Sequence, residues 1–385
     1  MNNRKRLNIV VLLSAISSGC LLVLGPYIAA KSNQEYLVPL YFFIYILTNI
    51  LSNKWLSKSI DFNGGLYFIK LSVKIRIALL FITLFLIHDV NTILLITFIS
   101  ISASLPDAIF RSAYPTYIKR TCIDNELQEA NSNYSLYRQI GYIAGTMIGG
   151  ILIFYQTVSL VAMLLAVGFV SIYFLSGIVI DISSTAEQKI DKSYKENGLF
   201  SYLVEKEILG LYTTVLIILV VGFILPMSLA PFVIGYLNYG SMELGLLEAS
   251  FSIGALIGAR YYQNKTTSSV PVLMLLISSL SLGGMYLMSF NILLLNFLLA
   301  GCTLQCSIWF FTQLQLNTPQ DKIGVVVTNL YFHATLFSAL YMSITTIFAS
   351  DLINISYYTV SFLLFAALVN YICIVRKSPI YTKES

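Results

Sequence analysis

Apolar residues run along this chain in long unbroken stretches, with no alternation between one residue and the next. A helix needs about 20 such residues to cross about 30 Å of hydrocarbon. Twelve stretches of that kind are read, at roughly 8–30, 36–57, 66–88, 91–113, 131–154, 157–180, 209–235, 241–260, 270–289, 291–314, 326–348 and 353–374. Backbone groups in lipid must be satisfied within their own segment, so these runs predict helices. The short alternating strands of a membrane barrel are missing. So are the polar faces a soluble domain would show. The expected fold is all-α and integral to a membrane, and an even number of spans puts both termini on one side.

Composition agrees. The chain is 57% hydrophobic and 11% charged, where soluble domains sit near 45–50% and about 25%. Mean hydropathy is +0.80. Arg4, Lys5 and Arg6 precede an apolar run that lasts through Ala30. That is too long for a signal peptide and has no small-residue cleavage site, so it is expected to be the first span.

Charge sets the orientation. With the N-terminus inside, the outside loops fall near 31–35, 89–90, 155–156, 236–240, 290 and 349–352. Of 23 Lys and Arg, only Lys31 falls in those loops. Basic residues gather on the cytoplasmic side of membrane proteins, so both termini are expected in the cytoplasm of a cell (inner or plasma) membrane. The one long connection, 181–208, is charged, with Lys189, Asp191, Lys192, Lys195 and Glu196. It separates an N-terminal six-helix bundle (1–180) from a C-terminal one (209–385). Leu199 to Leu209 is expected as a short surface helix. Two halves around a central path is a transporter architecture.

The five cysteines, Cys20, Cys122, Cys302, Cys306 and Cys373, suggest no disulfide framework. Cys302 and Cys306 lie one turn apart and have no nearby His or Asp, so they are read as small packing residues. No metal and no cofactor is expected.

Three segments carry a resemblance. Leu127–Gln–Glu–Ala–Asn131 leads into a span with Gly141, Gly145, Gly149 and Gly150. Small residues four apart let helices approach closely. The four glycines resemble the fifth-helix motif of major facilitator superfamily exporters, with Thr146 where that family has proline. Between spans two and three, Asp61 and Gly64 match the family's loop motif. Ser57 replaces its first glycine and its arginines are absent, the next basic residues being Lys70 and Lys74. Gln313, Pro319 and Gly324, together with Asp124 to Asn131, are similar to the macrolide-efflux and enterobactin-exporter branch. The resemblance implies alternating access and export, with Asp61 locking the outward-facing state. It also implies a path lined by helices one, four, seven and ten, where Ser17, Ser18, Tyr27, Asn238, Gln305, Trp309, Phe310 and Gln313 fall.

Ionisable residues inside spans are expensive and mark function. Asp107 and Arg111 sit four apart in span four. Arg138 shares a stripe of span five with Asn131, Tyr134, Tyr142, Gly145 and Gly149, and Asp107 is its expected partner. Glu248 in span eight is expected to be a buried proton carrier, and His333 in span eleven is a further coupling candidate. Lys70, Lys74 and Arg76 are expected to snorkel at the inner end of span three.

The function expected from all this is proton-coupled export of a drug, antibiotic or siderophore, with uptake of a small metabolite as the alternative. No phosphate-binding glycine loop with a lysine is present, which argues against direct ATP drive. A membrane-embedded enzyme would need clustered acids or histidines, and a channel a repeated pore segment; neither is seen. The expected partners are the bilayer, a small-molecule substrate, and a proton or sodium ion. No nucleic acid is expected, and the chain is expected to act as a monomer.

Overall fold

In the computed structural model, residues 3–31, 37–57, 59–87, 91–155, 157–178, 203, 208–230, 232, 233, 237–239, 241–263, 269–285, 289–347 and 350–375 are described. Among them the regular structure is helical. The helices are α1 (Asn3–Lys31), α2 (Leu37–Leu56), α3 (Ile60–Asn63), α4 (Gly65–Leu86), α5 (Thr92–Thr121), α6 (Leu127–Tyr155), α7 (Thr157–Ser176), α8 (Leu209–Ala230), α9 (Ser241–Tyr261), α10 (Ser269–Gly283), α11 (Phe290–Leu304), α12 (Ser307–Leu316), α13 (Ile323–Ile347) and α14 (Ser350–Asn370). By length and apolar character, five stretches among the described residues are able to cross a membrane: Asn3–Ala29, Thr92–Thr121, Val158–Ser176, Phe290–Leu316 and Ile323–Tyr341. The protein is a multi-pass membrane protein.

Hydroxyl residues within these helices satisfy themselves locally. Ser17, Thr83, Ser102, Ser171 and Thr335 each donate to the carbonyl four residues back. A polar group bonded this way can sit among apolar neighbours at little cost.

One expected span is broken. Gln305 and Cys306 close three-residue turns onto Cys302 and Thr303, and the helix resumes at Ser307. No proline lies there, so the break is a change of helix type rather than a proline kink. It also interrupts the face that Cys302 and Cys306 were expected to share.

The helices gather into two compact units. Unit 1 comprises Met1–Thr121, Tyr134–Ile190 and Gln320–Asn329. Unit 2 comprises Cys122–Asn133, Asp191–Pro319 and Leu330–Ser385. These borders differ from the expected 1–180 and 209–385 halves at two short segments, the beginnings of α6 and α13. The expected surface helix at 199–209 falls almost entirely outside the described residues, as do Lys189 to Glu196. Unit 1 packs Cys20, Leu21, Leu24, Tyr41, Leu80 and Ile99 into one buried cluster. In unit 2, Phe232 and Phe297 pack on Tyr357, while Trp309 and Phe310 pack on Tyr371.

Candidate functional site

Asp61 occupies the first turn of the short helix α3, which ends at Gly64 with φ 79° and ψ 152°. That conformation is closed to residues with a Cβ, which gives the motif glycine its reason. The turn aims the Asp61 carboxylate at the beginning of α13. Oδ1 accepts the Gly324 N–H at 2.9 Å and Oδ2 accepts the Val325 N–H at 2.8 Å. A negative charge at a helix N-terminus meets both unpaired N–H groups and the positive end of the dipole. Arg120 from the end of α5 donates to Asp61 Oδ1 at 2.9 Å and to the Gln320 carbonyl at 3.1 Å. The arginine missing from the loop motif is thus supplied from another helix. Gly324 is needed for the approach, because a Cβ there would run into the Asp61 carboxylate and Ile60. All of these groups belong to unit 1.

Burial outweighs the N–H donors and Arg120, and pushes the Asp61 carboxyl up to about 6 from 3.8. A raised carboxyl pKa means that this arrangement binds a proton more tightly than an exposed Asp61 would. Its contribution is fully present below 3.8 and is lost as pH rises through about 6. Hydrogen-exchange protection of Gly324 and Val325, corrected for intrinsic rates, is therefore expected to fall between pH 4 and about 6 and to flatten above that. Asp61→Asn, which cannot titrate, is expected to abolish this slope.

A second polar group lies midway along the helices of unit 1. Arg138 on α6 approaches Asp107 on α5 at 3.3 Å. Tyr142, one turn on from Arg138, accepts from Arg138 at 3.1 Å and donates to Asp107 at 3.3 Å. The rings of Tyr134 and Tyr142 flank the guanidinium at 5.9 and 5.2 Å. Arg111 donates to Asn49 on α2 at 2.7 Å.

Arg76 corrects an expectation. It does not snorkel at a helix end but is buried midway along α4, donating to the Ser14 carbonyl at 2.6 Å, the Ser14 hydroxyl at 2.8 Å and the Ser18 hydroxyl at 3.0 Å on α1. Hydropathy alone did not reveal this buried face, and the serines of α1 were its only hint.

Three of the four helix-five glycines meet α1. A Cβ on Gly141 would strike Ala15 and the Leu12 carbonyl, and one on Gly145 would strike the Ile16 backbone. A Cβ on Gly149 would lie 3.0 Å from Cys20 Cα. The Cys20 thiol donates to the Gly145 carbonyl at 3.0 Å. Gly150 stands apart: it is exposed, with open space around it, so it takes no part in this contact.

The first turns of α6, up to Asn133, belong to unit 2 and bond within it. Asn131 donates to Thr312 at 2.8 Å and to Gln315 at 2.5 Å. Gln128 donates to the Tyr262 carbonyl at 3.1 Å, and Ser132 bonds the Ala259 carbonyl. Asn131 therefore parts from the Arg138 stripe it was expected to share.

The remaining candidates do not converge on one place. Glu248 is exposed on α9 instead of buried, because its neighbours Gly245 and Ala249 are small, exposed and cover nothing. His333 is half-buried and bonds the Tyr212 hydroxyl at 2.8 Å. Ser17 is buried and bonded within its own helix, and Trp309 is buried among aromatic rings, so neither presents its side chain to an opening. Gln305 is buried at the helix break and packs close to Gly258. Tyr27 and Asn238 are exposed, Asn238 with φ 56°.

No family model matches the chain, and no curated protein matches it. Solved structures do. A bacterial homologue of the iron transporter ferroportin, in an outward-facing state, is 14% identical with a TM-score of 0.77, covering 98% of this chain and 100% of that one. The same homologue soaked with iron gives 15% and 0.76, with the same coverage. The human organic anion transporter MFSD10 (TETRAN) is 11% identical with a TM-score of 0.72, covering 96% of this chain and 100% of that one. These neighbours are transporters and not enzymes. The chain shares their fold.

Proposed function

We propose that this protein is a secondary active exporter of a small molecule such as a drug, antibiotic or siderophore. In this reading it has twelve spans in two six-helix halves, both termini are cytoplasmic, and proton antiport drives alternating access. The observation that carries the reading is the contact of Asp61 and Arg120 with the start of α13. Each hydrogen bond there contributes only about 1 kcal/mol net. A latch of a few such bonds is strong enough to hold one state and weak enough to be released by a bound ligand. The neighbours, by their descriptions, handle iron or organic anions, which is in keeping with a small cargo.

The Asp107–Arg138 pair and Tyr142 form the coupling group of the N-terminal half. Glu248, exposed on α9, is the proton carrier in this reading. His333 and Tyr212 supply a further titratable contact. Gly141, Gly145 and Gly149 let α6 ride closely on α1 during the change of state.

The test compares wild type with Arg138→Ala at matched expression in an efflux-deficient bacterial host. Intracellular accumulation is measured across antibiotics and siderophores, with and without a protonophore. Wild type is expected to lower accumulation of at least one compound, and both the substitution and the protonophore are expected to abolish that. Raised accumulation in wild type would reverse the direction to uptake.

A further inference from the structure

Two lysines on the outer face of α4 stand without a partner. Lys70 is half-buried and Lys74 is exposed, and neither ammonium has a hydrogen bond or an ion pair among the described residues. They lie one turn apart, on a stripe that continues through Ile77 to Phe81. Like charges at that spacing repel each other along a helix. α7 packs directly beside the stripe, since a Cβ on its Gly168 would strike Ile77. Neither α4 nor α7 contains an Asp or a Glu to offset the two charges.

Further along α4 the same face turns apolar. Phe81 and Phe85 are exposed and meet edge to face, with ring centroids 4.9 Å apart. On α7, Phe169 is exposed next to Gly168. Tyr67 is exposed just before Lys70, and tyrosine is enriched at the headgroup level of a membrane. Phe81 stands two turns beyond Lys74, about 10 Å along the axis. The face is thus cationic at one end and aromatic from about 10 Å further on. A phospholipid has the same order and scale, an acidic headgroup followed by chains that fill about 15 Å of one leaflet.

We infer that an anionic phospholipid docks on the α4–α7 face of unit 1, with its phosphate between Lys70 and Lys74 and its chains over Phe81, Phe85 and Phe169. A phosphate shared by the two ammoniums relieves their repulsion and meets the donors that the protein leaves open. A zwitterionic lipid brings its own cation to the same place and loses much of that gain. In the topology proposed above, this end of α4 is cytoplasmic, the side of a membrane on which anionic lipid gathers. The inference does not depend on export. A nanodisc, whose two leaflets are alike, tests the surface in either orientation.

The test uses the purified full-length protein in nanodiscs of phosphatidylcholine, with and without about 30% phosphatidylglycerol. Thermal unfolding is followed in both. Phosphatidylglycerol is expected to raise the Tm by about 3 °C or more. Lys70→Gln combined with Lys74→Gln is expected to remove most of that rise. Lys54→Gln, at an exposed lysine in the last turn of α2, is expected to leave it unchanged. Glycerol 3-phosphate added to phosphatidylcholine nanodiscs is expected to give no rise, because it carries no chains. The inference is overturned if phosphatidylglycerol stabilises no better than phosphatidylcholine. It is overturned too if Lys54→Gln loses as much as the lysine pair, which would mark a general attraction between a cationic protein and an anionic membrane. Equal stabilisation by glycerol 3-phosphate would make the occupant a soluble phosphate and no lipid. Should the double variant fail to fold, Lys74→Gln alone, at the exposed position, takes its place.

Discussion

Gly145→Leu is expected to destabilise the protein by about 3 kcal/mol or more, the upper end of what overpacking a close contact costs. The reason is what the new side chain meets. It is the Ile16 backbone of α1 and not the tip of a flexible side chain, so the helices must part. Parting them also removes the bond from the Cys20 thiol to the Gly145 carbonyl. Gly150→Leu supplies the control five residues along the same helix. Nothing lies within 4 Å of its position, and a change of about 0.5 kcal/mol or less is expected. Thermal unfolding of the detergent-solubilised variants checks both, with a fall of several degrees for the first and none resolved for the second. Equal loss at both positions would mean that helix propensity, not the contact with α1, is what the glycines serve.

Asp61→Ala is the second large effect. It leaves the Gly324 and Val325 N–H groups and the Arg120 guanidinium without their carboxylate. A buried donor left unsatisfied costs about 1–3 kcal/mol. Because Val325 and Arg120 are partly accessible to water, a total of about 2 kcal/mol is expected. The effect should be local: amides of Gln320–Asn329 are expected to exchange at least about tenfold faster, while those of α7 are unchanged. Gly324→Val should give the same pattern from the other side of the contact, by pushing Asp61 away. Asp61→Asn, which keeps one acceptor oxygen, should fall between. If Asp61→Ala sped exchange throughout both units, the contact would be part of the general scaffold and no latch.

Much of the fold was legible because span length is a strong signal. The apolar runs located the long helices to within a few residues, except where polar residues continue a helix beyond the apolar part. α5 runs on to Thr121 through Tyr117, Lys119 and Arg120, and α6 begins at Leu127, before the apolar run. The break at Gln305 left no trace in the pattern, since apolar residues continue on both sides and no proline marks it.

The candidate site was legible in parts. Asp61 and Gly64 stood out as a loop acid and a glycine at a fixed spacing. Their partners did not, because Arg120 and Gly324 come from 59 and 263 residues away and nothing local points to them. The pairing of Asp107 with Arg138 followed from economy: the carboxylate of span four and the arginine of span five lie on adjacent spans. Arg76 and Glu248 were misread for a common reason. Position along a helix gives depth, while the face that a residue presents depends on packing that hydropathy does not encode. A pattern was nevertheless available for Arg76, since Ser14, Ser17 and Ser18 form a small polar patch in an otherwise apolar α1.

Outward movement of a small molecule against a proton is measurable by reconstitution. The purified protein is placed in proteoliposomes with a compound identified by the accumulation screen, and a pH gradient is imposed. The compound is expected to move opposite to the proton, collapsing the gradient is expected to stop net movement, and Arg138→Ala is expected to abolish it. Movement in the same direction as the proton, or movement indifferent to both gradient and substitution, would contradict it.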